Sequence, residues 1–90
     1  MKSYLIIYQL SFQETSYPNL IAFLKTASLW AHPFSGAWII KTTSNSASIR
    51  NSIKAKIHAN DKIIVIALPN NDWATSGISK QVTDWMKKYL

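Results

Sequence analysis

A histidine, two tryptophans and a lysine lie close together between Ser28 and Thr42, and their side chains suit the handling of nucleotides. Trp30 and Trp38 offer flat faces on which a base can stack. His32 can transfer a proton near neutral pH, and Lys41 can bind a phosphate. A structural role fits the same residues: the tryptophans would pack across a hairpin, and His32 would cap its turn.

Two short strands must position these side chains. Pro33 and Gly36 interrupt the segment and predict a hairpin with strands at about 28–32 and 37–42. The second strand alternates, so Trp38 and Thr42 share one face while Lys41 lies on the other. The chemistry of the segment therefore depends on which face each strand presents.

The other elements follow from hydrophobic pattern and helix-capping residues. Apolar runs predict a strand at 4–10, covered on at least one face, and a buried strand at 62–68. Helices are predicted at 18–26, from the capping cluster at 43–46 to about residue 60, and at the C-terminus. A polar loop is predicted at 11–15 and a turn at 69–72. This order predicts a single α+β domain over residues 1–90, a ferredoxin-like βαββαβ antiparallel sheet plus a C-terminal helix. Two helices cover one sheet face, and the other face is left for a partner, a ligand or the last helix.

The composition narrows the class of protein. Ten Lys and Arg residues against four Asp and Glu give a net charge of +6, which favours a polyanionic partner, although solubility alone can require such a charge. The absence of cysteine excludes disulfides and thiolate chemistry. No apolar run is long enough to span a membrane and no secretory signal is recognisable, so we expect a cytoplasmic protein without a membrane partner.

The second predicted helix carries a row of basic residues. Arg50, Lys54 and His58 follow one another at four-residue steps, which places them on one helix face. Such a row can bind phosphates, and the hydroxyls of Thr42 and Ser44 could assist it. A solvated helix face without a ligand is the alternative interpretation.

Three segments carry a resemblance to known families: 3–10 (SYLIIYQL), 30–42 (WAHPFSGAWIIKT) and 61–66 (DKIIVI). They look like the small SinR-like proteins. That group is similar to the small CRISPR adaptation nuclease, the non-integrase partner, and to the VapD toxin ribonucleases. The resemblance implies a ferredoxin-like homodimer that handles RNA or DNA.

One position departs from the CRISPR adaptation family. That family ordinarily has a metal-binding aspartate near the end of the first strand, where this chain has Gln9. An amide is a poor ligand for a hard divalent cation, and the nearest acid, Glu14, lies along a loop. We therefore expect no metal centre, no cofactor and no metal-dependent nuclease mechanism.

The remaining enzymatic hypothesis is a metal-independent phosphodiesterase, of the ribonuclease or ring-nuclease type found in prokaryotic or phage defence. His32 would be the general acid or base, Lys41 or Arg50 would hold the phosphate, and Ser11 would supply a hydroxyl. The substrate would be RNA or a small, even cyclic, oligonucleotide. The alternative is a non-catalytic module of the same fold that binds nucleic acid, a cyclic nucleotide or a partner protein.

Overall fold

The computed structural model describes residues 1–69 and 71–90, which form one antiparallel sheet with helices on both of its faces. The predicted turn at 69–72 includes Asn70, which lies outside the described residues. The strands are β1 (Lys2–Gln9), β2 (Leu29–Phe34), β3 (Ala37–Thr42) and β4 (Lys62–Ala67). The helices are a 3₁₀ turn (Glu14–Ser16), α1 (Pro18–Leu24), α2 (Ser46–Lys54) and α3 (Lys80–Tyr89).

The sheet has the strand order β2-β3-β1-β4, with every neighbouring pair antiparallel. The central strand β1 carries the longest ladders, and its Ile6 lies opposite Trp38 of β3 and Val65 of β4. This is the order that two interleaved βαβ units produce. The predicted α+β, ferredoxin-like fold is confirmed.

The main core lies between the sheet and the helices α1 and α2. Every second residue of the central strands points into it, which leaves ten side chains buried there: Tyr4, Ile6, Tyr8, Tyr17, Leu20, Leu24, Trp38, Ile40, Ile49 and Ile53. Helix α1 begins at Pro18, whose fixed φ suits the first helical position. Helix α2 begins after Asn45, whose side chain accepts a hydrogen bond from the Ser48 N–H.

The opposite sheet face is covered on one half only. Helix α3 packs on β2, and the Lys41 ammonium donates to the Tyr89 carbonyl at 2.6 Å, so this face is closed over β2 and β3. Over β1 and β4 it stays open, with Ile64 56% and Ile66 47% exposed. The expectation of a buried fourth strand is therefore wrong: the strand forms, but it is an edge strand covered on its helix-facing side.

Several boundaries differ by a few residues from those expected, and the largest difference is in α2. Helix α2 ends at Lys54 rather than near residue 60, because the chain turns there and the Lys56 N–H bonds back to the Ile53 carbonyl. Ile57 nevertheless packs against the core. Strand β2 continues to Phe34 through an irregularity after Ala31. Within the described parts of the chain, none of the helices is long and apolar enough to cross a membrane.

Candidate nucleic-acid interface

Three loops meet at one end of the sheet. Because β1 ends where its antiparallel neighbours begin, Gln9 lies opposite Lys62 and Ile7 lies opposite Ala37. The loop after β1, the turn between β2 and β3, and the segment before β4 therefore share this end. A groove runs along each edge of the helix-covered side, and the two grooves differ in chemistry.

The first, called here the aromatic groove, lies between α1 and β2 and has a volume of about 710 Å³. Its wall is formed by Trp30, His32 and Trp38, with Glu14 and Lys25 at the border. Trp38 is almost fully buried, at 1% exposure, whereas Trp30 at the sheet edge is 37% exposed. The Lys25 ammonium lies 5.5 Å from the centre of the Trp30 ring. Trp38 thus serves the core, and Trp30 is the tryptophan of this groove that a ligand can reach.

His32 is fixed on three sides. Its ring stacks on Trp38, with 4.0 Å between ring centres and 12° between planes. Nδ1 donates to the Ala37 carbonyl at 2.8 Å, and Nε2 lies 3.1 Å from a Glu14 carboxylate oxygen. Both ring nitrogens of His32 are therefore engaged within the protein, and neither is left for a substrate.

Glu14 joins the hairpin turn to the core. Its second oxygen accepts from the Gly36 N–H at 3.1 Å. Burial acts to raise the pKa of Glu14, but the polar groups of Ser35, Gly36 and Tyr8, together with His32, outweigh it and hold that pKa below its ordinary value. The sequence interpretation weighed Glu14 only as a replacement metal ligand; its position 18 residues before His32 gave no sign that the two side chains pair.

Tyr8 and Trp38 continue this network into the core. The Trp38 indole N–H donates to the Tyr8 hydroxyl at 2.8 Å, and both side chains are buried. Burial raises the pKa of Tyr8 above its ordinary value, and the nearby Glu14 charge acts in the same direction. Tyr8 thus lies between the buried indole and the charge of Glu14, and these polar contacts hold the hairpin against the core.

The second groove, called here the basic groove, lies between α2 and β4 and has a volume of about 600 Å³. Four basic side chains line it: Arg50, Lys54, His58 and Lys62. The row predicted from sequence is thus extended by a residue of β4. In residues 1–69 and 71–90 the ion pairs are His32–Glu14 and Lys80–Asp84, so no cation of this groove is in a salt bridge.

Asp61 is the acid that lines the basic groove, and neutral donors saturate its oxygens. One oxygen accepts from the Ser11 N–H and hydroxyl, each at 2.8 Å. The other accepts from the Tyr17 hydroxyl at 2.9 Å and the His58 N–H at 2.8 Å. Burial would raise the pKa of Asp61, but these four bonds lower it to about 2. Asp61 therefore ties three segments together while the neighbouring cations keep their charges.

The three residues predicted to share a catalytic site do not come together. Lys41 lies on the opposite sheet face from His32, bonded to the end of α3. Ser11 is bound to Asp61 and follows β1, two strands away from β2, about 10 Å or more. His32 is thus the only one of the three at the aromatic groove.

The predicted hydroxyl donors also lie elsewhere. Thr42 ends β3, about 17 Å along the strand from the end that binds His32. Its hydroxyl accepts from the Ser44 N–H, and the Ser44 carbonyl accepts from the Tyr4 hydroxyl. These groups shape the connection into α2. They stand apart from both grooves.

Gln9 is exposed at the end of β1. Across residues 1–69 and 71–90, the structure holds no cluster of three or more His, Asp or Glu side chains that could bind a metal ion. Comparisons of the chain with protein-family models, curated proteins and solved structures found no significant match. The function is therefore inferred from the side chains themselves.

Proposed function

We propose that this protein binds RNA or another oligonucleotide, with the phosphates held in the basic groove. The observation that carries the proposal is the convergence of Arg50, Lys54, His58 and Lys62 on one groove whose acid, Asp61, already accepts four hydrogen bonds. The Arg50 guanidinium donates to the neutral Asn51 side chain at 2.9 Å, and none of these cations pairs with an acid among the described residues, so their charges stay available for phosphates.

The placement of the cations suits an extended polyanion. Arg50 and Lys54 are neighbours on the surface of α2, about 6 Å apart at their Cβ atoms. Lys62 stands on the facing strand, so the positive charges flank the groove from both sides. The overall charge of +6 adds a field that attracts nucleic acid from solution.

Fluorescence anisotropy with labelled oligonucleotides over a range of salt concentrations tests this proposal. Three or four phosphate contacts on a single strand predict that the logarithm of the binding constant falls with the logarithm of salt concentration with a slope of about −2 to −3. The ligands are linear RNA, DNA of the same sequence and a cyclic oligoadenylate, which separates linear from cyclic substrates. Absence of binding at low salt to all three contradicts the proposal.

A metal-independent phosphodiesterase is the second candidate, and the position of His32 beside an open groove favours it. A histidine ring can act as a general acid or base if a substrate displaces Glu14, and Lys25 lines the same groove. Cleavage of RNA would then persist in excess chelator and would fall by about two to four orders of magnitude in His32→Ala. Cleavage by a folded His32→Ala protein at the parental rate contradicts this mechanism.

We further propose that the protein is a homodimer. Ile7, Ile64 and Ile66 leave an apolar surface on the uncovered half of the sheet, next to the outer edge of β4. A second copy related by a two-fold axis would cover both features. Light scattering at tens of micromolar, about the concentration at which modest interfaces hold, should give twice the chain mass; a monomer mass contradicts this.

A further inference from the structure

An aromatic side chain stands exposed beside the basic groove. Phe12 lies in the loop after β1, three residues beyond the end of the strand, and 60% of its surface is exposed. Its ring centre lies 5.3 Å from that of His58, edge to face, and His58 lines the basic groove. A phosphate-binding surface and an exposed ring are therefore adjacent.

Hydrogen bonds fix the backbone next to each of the two rings in this contact. Asp61 accepts two bonds from Ser11, the residue before Phe12, and one from the backbone of His58. The Tyr17 ring also packs edge to face with His58, with 5.5 Å between the ring centres. The two rings are thus positioned by one carboxylate, so the exposure of Phe12 belongs to an ordered arrangement.

We propose that Phe12 and His58 form a stacking platform for the unpaired bases of a single-stranded nucleic acid whose phosphates lie in the basic groove. This inference rests on the function proposed above and names its substrate class. Aromatic rings next to a basic groove stack on bases of any sequence, since every base has a π face. In a duplex the bases stack on one another and do not present those faces, so the platform selects single strands.

The test compares Phe12→Ala with the matched control Phe34→Ala. Phe34 is 59% exposed, but it ends β2 at the other edge of the sheet. Anisotropy is measured with single-stranded RNA, single-stranded DNA of the same sequence, the corresponding duplex, and a strand of equal length that lacks bases at most positions. We expect Phe12→Ala to weaken binding of both single strands by roughly 5- to 150-fold at unchanged salt slope. Phe34→Ala should stay within about twofold, because it removes an equal exposed ring away from the groove.

Two further arms separate stacking from simple apolar contact. Phe12→Leu keeps apolar bulk without the ring and should bind as weakly as Phe12→Ala. The base-depleted strand should bind the parent and Phe12→Ala equally, because only phosphate contacts remain. The parent should prefer single strand over duplex, and whichever of RNA and DNA binds more tightly identifies the source of the strand.

The outcomes distinguish this inference from the function on which it rests. If Phe12→Ala binds single strands like the parent while loss of Arg50 and Lys54 weakens binding, the phosphate groove stands and the platform is wrong. A loss confined to RNA or to DNA, or equal binding of duplex and single strand, also overturns the platform. If no oligonucleotide binds at all, the proposed function itself fails.

Discussion

The two grooves at the edges of the sheet contain similar kinds of residue, but the acid in each groove binds different partners. Each is lined by one acid, one histidine and at least one lysine. Tryptophans line the aromatic groove, and Phe12 lies beside the histidine of the basic groove. In the aromatic groove the acid pairs with the histidine side chain, Glu14 with His32. In the basic groove Asp61 binds hydroxyls and backbone N–H groups, including that of His58, and leaves the histidine ring and the lysines uncompensated.

This difference shows that the groups bound by the acid determine whether the basic side chains around it remain available for a ligand. The pair of Glu14 and His32 fixes the hairpin. Because the two side chains satisfy each other, little charge is left for a ligand. A carboxylate that is satisfied by neutral donors holds its loops in place without cancelling the cations around it. We therefore expect Glu14 to act on stability and the cations of the basic groove to act on ligand affinity.

The largest expected effect is on stability, in Glu14→Ala. The change leaves His32 and the Gly36 N–H without their acceptor in a half-buried site, at a cost of about 2 kcal/mol. For a domain of this size the melting temperature should fall by roughly 10 °C, as calorimetry can measure. Oligonucleotide affinity of the folded variant should not change.

Asp84→Ala is the matched control for that variant. It also removes the acid of an ion pair, but Lys80 and Asp84 are four residues apart on the surface of α3, with side chains 88% and 51% exposed. Such exposed pairs contribute little to stability, so the melting temperature should fall by no more than a few degrees. Equal losses in the two variants would contradict the structural role given to Glu14.

The next effect is on binding, in the double variant Arg50→Gln and Lys54→Gln. The loss of two phosphate contacts should make the salt slope shallower by about 1.4. If the variant and the parent bind equally at about 1 M salt, the variant should then bind about 25-fold more weakly at about 0.1 M salt. Lys87→Gln with Lys88→Gln is the control, because these lysines end α3 away from the groove. An unchanged salt slope in the variant of Arg50 and Lys54 would show that these residues form a solvated helix face that binds no phosphate.

The sequence predicted the fold well and the sites in part, for physical reasons. Periodicity determines which face of a helix or strand is buried, so the elements and the row at Arg50 and Lys54 could be predicted. The alternation of β3 already separated Trp38 from Lys41. Residues 63–67 are apolar on both faces of the strand, however, which predicts burial on both. Nothing in this run shows that α3 covers β2 and leaves one face of β4 open.

The pairing of residues across loops left no such pattern. Glu14 and His32 are 18 residues apart, and the contact depends on the path of the loop through a 3₁₀ turn. Phe12 lies in the segment that the sequence predicts as a polar loop. The exposure of a single ring leaves no periodic pattern, so the sequence does not predict it. The hydrogen bonds of Asp61 depend on three segments meeting at one end of the sheet, which the strand order brings about.

A smaller effect concerns the stability of the protein at low pH, to which the hydrogen bonds accepted by Asp61 contribute. The pKa of Asp61 is lowered from 3.8 to about 2, so its contribution to stability is present above pH 3.8 and is lost as the pH falls through about 2. The lowered pKa of Glu14 adds a loss below its ordinary value of 4.5. Urea unfolding from pH 6 to pH 2 should show stability falling below about pH 4.5.

Asp61→Asn separates the two carboxylates. Asparagine keeps one acceptor for Ser11 but turns an NH₂ towards the His58 N–H, so the melting temperature at pH 7 should fall by several degrees. The remaining decline between pH 3.8 and 2 should be shallower than in the parent, since Asp61 no longer titrates. An identical pH profile would show that Asp61 does not carry this dependence.

The smallest expected effect is that of Lys41→Gln on binding, and it tests the division between the sheet faces. The Lys41 ammonium donates to the Tyr89 carbonyl on the α3 side, away from both grooves. Oligonucleotide affinity and salt slope should therefore match the parent, whereas Lys54→Gln alone should lower the slope by about 0.7. The lost hydrogen bond should lower the melting temperature by a few degrees, because about 1 kcal/mol joins β3 to α3 there. A salt slope that falls in Lys41→Gln as much as in Lys54→Gln would place phosphate on the α3 face and reverse the roles assigned to the two sides of the sheet.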